Sequence, residues 1–104
     1  MHIKQKFKNC KLQITKHAFR RFIEKNFPIT RLRRMIFKAK WFSHIEQEKI
    51  MCVCKENSHY WTIIIAPNDQ IIFIITVYPS SIVEINQFKK GEELNSFELV
   101  DNGD

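Results

Sequence analysis

Glycine is nearly absent from this 104-residue chain: there are two, Gly91 and Gly103, both close to the C-terminus. A Gly-rich loop ahead of a helix is therefore missing, which excludes nucleotide sites of the Walker and Rossmann kinds. Long apolar runs are missing too. The longest, Ile63 to Ala66 and Ile71 to Ile75, fall far short of the ~20 residues a membrane-spanning helix needs. Met1 to Lys6 carries charge but leads into no apolar stretch of the secretory-signal type, so a cytoplasmic protein that does not engage membranes is expected. Cysteine is sparse and odd in number (Cys10, Cys52, Cys54). Cys52 and Cys54 point the same way along one β-like run, too far apart along it to be bridged, so they read as small core residues rather than a disulfide or metal framework. There is no His-Glu-x-x-His element and no carboxylate cluster, so no metal or other cofactor is implied.

Acidic residues are missing from the first part of the chain. Met1 to Trp41 holds eight Lys and five Arg against one acid, Glu24, whereas Phe42 to Asp104 holds four Lys against ten acids. Solubility requires no such separation. A phosphate-binding face uses it, because basic side chains release counterions condensed on nucleic acid. RNA is the expected partner.

With 44% apolar and 12% aromatic residues, the chain can fill one compact core. Residues 1–14 alternate weakly and suggest a frayed start or a short strand. Thr15 looks like the N-cap of a helix running from Lys16 toward Phe27-Pro28, with Phe19, Phe22 and Ile23 as its apolar side and His17, Arg20, Arg21 and Glu24 on another. Thr30 looks like the cap of a second helix, where Leu32, Met35, Ile36 and Ala39 form a buried stripe and Arg31, Arg34 and Lys38 recur on a different side. Strands follow over Trp41 to Ile45, Lys49 to Lys55, His59 to Ala66 and Gln70 to Tyr78, separated by short polar turns that favour sequential antiparallel pairing. The fold expected is α+β, two N-terminal helices on a four-stranded or slightly larger antiparallel sheet. The third and fourth strands are apolar on both faces, so the second face also needs cover. Ser81 to Lys90 is a candidate for it, as a strand or a helical turn. One domain is expected over residues 1–90, with an acidic tail over 91–104.

Metal-free RNA cleavage needs a group that takes the proton of the 2′-hydroxyl, cations for the phosphorane and a proton for the leaving oxygen. His17 beside Arg20 and Arg21 supplies an imidazole next to two guanidiniums, and Thr76 and Tyr78 share one face near the end of the last strand. Arg31, Arg33, Arg34 and Lys38 form a second basic surface. Trp41, Trp61 and Tyr60 are the aromatics able to stack on bases, although Trp61, in a buried strand, belongs with the core.

The stretch Ile14-Thr15-Lys16-His17-Ala18-Phe19-Arg20-Arg21 resembles the Ser/Thr-x-His-Ala-x-x-Arg helix of a family of small prokaryotic and phage-associated domains of unknown function. Ile74-Ile75-Thr76-Val77-Tyr78-Pro79 is similar to that family's closing strand. The resemblance spans about residues 12–79, and the family's small residue or glycine after the first helix is replaced by Asn26-Phe27-Pro28. These domains look related to the RelE and barnase-like metal-independent ribonucleases. The resemblance implies a toxin-like endoribonuclease with His17, Arg21, Thr76 and Tyr78 at its site and an antitoxin-like protein as a possible partner. The alternative is a non-catalytic module that binds nucleic acid or an acidic protein through Arg31, Arg33, Arg34, Lys38 and Trp41. In a third arrangement the acidic tail folds back on the basic helices as a phosphate mimic.

Overall fold

A computed structural model describes residues 3–46 and 48–91; the acidic segment 92–104 lies outside them. Helix α1 (Ile3–Lys6) leads into strand β1 (Lys11–Ile14), then α2 (Lys16–Glu24), a 3-10 turn (Ile29–Arg31) and α3 (Leu32–Lys38). Strands β2 (Lys40–Ser43), β3 (Ile50–Glu56), β4 (His59–Asn68) and β5 (Ile71–Pro79) follow, and α4 (Ile82–Lys90) ends the described chain. The sheet has five strands in the order β1-β5-β4-β3-β2. Its last four strands form the expected antiparallel meander. The expected sheet is corrected at its edge, where β1 pairs with β5 in parallel, Lys11 to Ile14 against Ile71 to Ile74. Residues 3–14 are thus built into the fold, with Ile3, Phe7 and Cys10 buried in the core.

Local chemistry accounts for the element ends. Thr15 caps α2 by accepting from the Ala18 amide at 3.1 Å, and its own hydroxyl donates to the Ile74 carbonyl at 2.9 Å, fastening the helix start to β5. Asn26 ends this segment in the left-handed region at φ 57°, a conformation that asparagine tolerates where glycine is more usual. Phe27 can then stack on Phe22 at 4.9 Å and meet Trp61 edge-on at 5.0 Å. Thr30 lies inside the 3-10 turn, and Arg31 occupies the cap of α3. Asn57 and Ser58, both at positive φ, make a two-residue hairpin between the paired Glu56 and His59; two successive positive φ values match the twist of the strands they join.

Helices α2 and α3 cover one face of the sheet. Leu32, Met35, Ile36 and Ala39 are buried there as their spacing predicts. The apolar side expected of α2 is corrected: Ala18 and Phe22 are buried, whereas Phe19 is 51% and Ile23 64% exposed. Helix α4 covers the other face, where Phe88 packs on a smaller cluster of Phe42, Met51, Val53 and Ile64. Ser81 to Lys90 is therefore helical, with Ser81 and Glu84 forming a reciprocal capping box and the Lys40 ammonium donating to the Phe88 carbonyl at its far end at 2.6 Å. No described helix is long and apolar enough to cross a membrane.

Candidate functional site at the junction of α2 and β5

Strand β1 stops at Ile14, so the edge of β5 beyond Ile74 is met by the start of α2 instead. The β4–β5 register pairs Ile65 with Ile74 but Ile64 with Thr76, leaving Ile75 as an extra residue in β5. A bulge of this kind re-aims the side chains that follow it. Without it, Thr76 would share the face of Ile74 and point into the core beneath the helices. With it, Thr76 and Tyr78 lie on the face of their partners Ile64 and Thr62.

The exposed His17 on the first turn of α2 reaches this edge, its Nε2 3.2 Å from the Thr76 hydroxyl. Either atom can donate, depending on the imidazole tautomer. Arg21 lies one turn further along α2. It donates to Glu24 at 3.1 Å, while its Nε is shielded from solvent and has no hydrogen-bond partner among the described residues. Arg20 lines a hollow of about 340 Å³ with Ile14, Thr15, Lys16 and Phe19. The first turn of α2 carries no acid, so the positive end of the helix, Lys16 and Arg20 present one sign of charge to that hollow, which suits an anion.

Tyr78 is engaged elsewhere. Its hydroxyl donates to Glu84 at 2.7 Å, and the same carboxylate accepts from the Thr62 hydroxyl at 3.0 Å and the Ser81 amide at 2.9 Å. Burial, then the hydrogen bond to Glu84 and the charge of Glu84, hold the phenol well above the ordinary tyrosine range. The contacts therefore join His17 to Thr76 and tie Tyr78 to α4.

The second basic surface is largely occupied by internal contacts. Arg31 and Arg34 both donate to Glu56, at 2.5 and 2.7 Å; these bonds, the one from Arg31 first, hold the Glu56 carboxyl below the usual range. Arg33 donates to the carbonyls of Lys8 and Cys10 at 3.2 and 2.5 Å, tying α3 to the N-terminal segment. Lys38 is exposed. Trp41 is fully buried, with its indole N–H on the Ile36 carbonyl at 2.8 Å, and this corrects its reading as a base-stacking residue. Trp61 is buried, as its strand predicts. All three cysteines are free and buried, and burial pushes the Cys54 thiol up to about 12. Among the described residues no three His, Cys, Asp or Glu stand close enough to hold a metal ion.

Two residues that organise these surfaces went unread in the sequence. For Glu84 the Ser81-x-x-Glu84 spacing is a legible capping signal, but its reach to Thr62 and Tyr78 needs the tertiary fold. For Glu56 there is no local signal, because its arginines lie 25 and 22 residues away.

No family model matches the chain, and no curated protein matches its sequence. Among solved structures, its fold is similar to that of the Brucella abortus ribonuclease toxin BrnT, with a TM-score of 0.57 at 14% identity over 69% of this chain and 97% of that one. At that identity the likeness is one of fold, and it extends over nearly the whole of the toxin.

Proposed function

We propose that this protein is a toxin-like, metal-independent endoribonuclease acting on cytoplasmic RNA. The observation that carries the reading is the His17–Thr76 contact, in a fold similar to that of a ribonuclease toxin. His17 takes the proton of a ribose 2′-hydroxyl, and the 2′-oxygen attacks the adjacent phosphorus. Arg20 and Arg21 stabilise the charge that gathers on the phosphorane oxygens. The bond to the 5′-oxygen breaks, that oxygen takes a proton from solvent water and the His17 imidazolium returns its own to solvent, giving a 2′,3′-cyclic phosphate and a 5′-hydroxyl. Thr76 holds the imidazole in position. Tyr78 assists only after its hydroxyl leaves Glu84. An antitoxin-like protein belongs to the same reading, and the exposed Phe19 and Ile23, which share another side of α2 from His17, are the apolar surface it would cover.

The basic-helix alternative is less well supported, since Arg31, Arg33 and Arg34 have internal partners and Trp41 is buried. The test is cleavage of total RNA in the presence of EDTA, with analysis of the new ends. His17→Ala leaves the buried residues of α2 untouched, so folding survives, and cleavage falls by ~10²- to 10⁴-fold while RNA binding changes little. A wild type that cuts nothing, or a variant that cuts as well as wild type, overturns the mechanism.

A further inference from the structure

Most cations near a carboxylate are already engaged: Arg31 and Arg34 with Glu56, Arg21 with Glu24, Lys49 with Glu46. Lys55 and Lys89 are not. Neither has a carboxylate partner among the described residues, and both gather on one ring, with ammonium nitrogens 5.7 and 5.9 Å from the centroid of Tyr60. That ring meets Phe88 edge-on at 5.7 Å, and Lys40 lies 5.2 Å over Phe88. Three like charges around two rings repel one another, which core packing alone gives no reason to arrange. Lys55 and Lys89 are exposed and Tyr60 is half-buried.

The strip has a defined place relative to the candidate site. Lys55 and Tyr60 are cross-strand partners, and Tyr60 shares the face of Thr62, which is opposite Tyr78. The Tyr60 carbonyl accepts from the Ser80 amide, so the ring lies roughly 13 Å along β5 from Thr76 at ~3.3 Å per residue.

The geometry points to a docking strip for single-stranded RNA, in which a base stacks on Tyr60 and the flanking phosphates take Lys55 and Lys89. This rests on the ribonuclease reading and adds to it the strandedness of the substrate. A duplex keeps its bases stacked on one another and offers none to the ring, whereas a single strand can turn one out. The cation–π contacts hold the two ammonium groups at the ring until phosphates arrive, and an incoming base then replaces them on its open surface.

The experiment titrates the full chain into a short fluorescein-labelled 2′-O-methyl oligouridylate, which the proposed chemistry cannot cut, and follows anisotropy. Tyr60→Ala weakens binding at least about five-fold, the lower end of what one stacked base contributes, and Tyr60→Phe retains it. The Lys55→Gln, Lys89→Gln double variant makes the log affinity against log salt shallower by about 1.4, at about 0.7 per phosphate contact. A duplex ligand of equal length shows no dependence on Tyr60. Binding that ignores both Tyr60→Ala and the lysine pair overturns the proposal. So does a full chain that binds nothing while a chain ending at Gly91 binds in a Tyr60-dependent way, because the strip then serves the protein's own acidic segment. Cleavage assays on the same proteins keep the two readings apart. An inert wild type that loses binding at Tyr60 removes the nuclease alone; an active enzyme indifferent to Tyr60 and the lysines removes the strip alone.

Discussion

Arg21 is where stability and the proposed chemistry pull in different directions. Its side chain is 32% exposed, yet its Nε is shielded and has no acceptor among the described residues. A buried donor left unmade costs about 1–3 kcal/mol, while the exposed pair with Glu24 offsets only about 0.3–0.5 kcal/mol. In a binding site such a donor is explained by a ligand that satisfies or reorganises it. Arg21→Met keeps the hydrocarbon stem and removes the unsatisfied group. Urea unfolding should show stability unchanged or raised, while RNA cleavage falls by at least tenfold. A loss of stability above about 1 kcal/mol would mark Arg21 as structural instead. The residue types at this end of α2, His17 with Arg20 and Arg21, were legible from helical spacing. The bulge that presents Thr76 to them was not, because Ile74-Ile75-Thr76 reads as uninterrupted strand.

Helix α4 acts as a clamp through one carboxylate. Glu84 closes the capping box of its own helix and accepts from Thr62 and Tyr78 on two strands, so it joins α4 to β4 and β5. Glu84→Ala removes a cap worth ~1 kcal/mol and leaves the Tyr78 hydroxyl without its acceptor, so thermal stability falls by an amount on the order of 2 kcal/mol. Titration isolates the Tyr78 part. Burial, with Glu84 adding to it, raises the phenol above the ordinary value, so the neutral form is the one the fold favours. The stability it contributes is fully present below the unfolded value near 10 and is lost as pH climbs past that value toward the folded one. In a Tyr60→Phe background, ultraviolet titration of the remaining tyrosine should show phenolate appearing late. Glu84→Gln should bring it earlier, though still above the ordinary range, because burial persists. A midpoint that ignores Glu84→Gln would separate the two groups. The apolar stripe of α3 was readable from Leu32, Met35, Ile36 and Ala39, since one choice of face fits all four. On α2, Phe19, Phe22 and Ile23 suggested a face that the structure rotates, because tertiary contact with β5 favours Ala18 and Phe22.

At the scale of the whole molecule, the parallel pairing of β1 with β5 makes the N-terminal segment part of the core. Ile3, Phe7 and Cys10 are buried, and Arg33 of α3 holds the carbonyls of Lys8 and Cys10. Burial of Ile3 and Phe7 alone is worth roughly 3–6 kcal/mol at about 1.5–3 kcal/mol each, a large share of the ~5–15 kcal/mol by which domains are stable. A chain beginning at Thr15 should therefore show no cooperative melting by circular dichroism; a clean transition would contradict this account. The meander was legible because its strands are strongly apolar and its turns carry Asn57, Ser58 and Asp69. The pairing of β1 was not: its weak alternation allowed a short strand, but four residues do not reveal a partner some sixty positions away.

The same long reach bears on the making of the protein. His17 and Thr76 are 59 residues apart, and at ~5–20 residues per second the ribosome needs roughly 3 to 12 s to pass from one to the other. Throughout that interval the imidazole is outside its finished surroundings, with neither the strand that orients it nor the pairing that fixes α2. If the proposed ribonuclease reading holds, a nascent chain of this sequence leaves the ribosome and message that produce it uncut, and the His17–Thr76 pair forms only after the last strand has emerged.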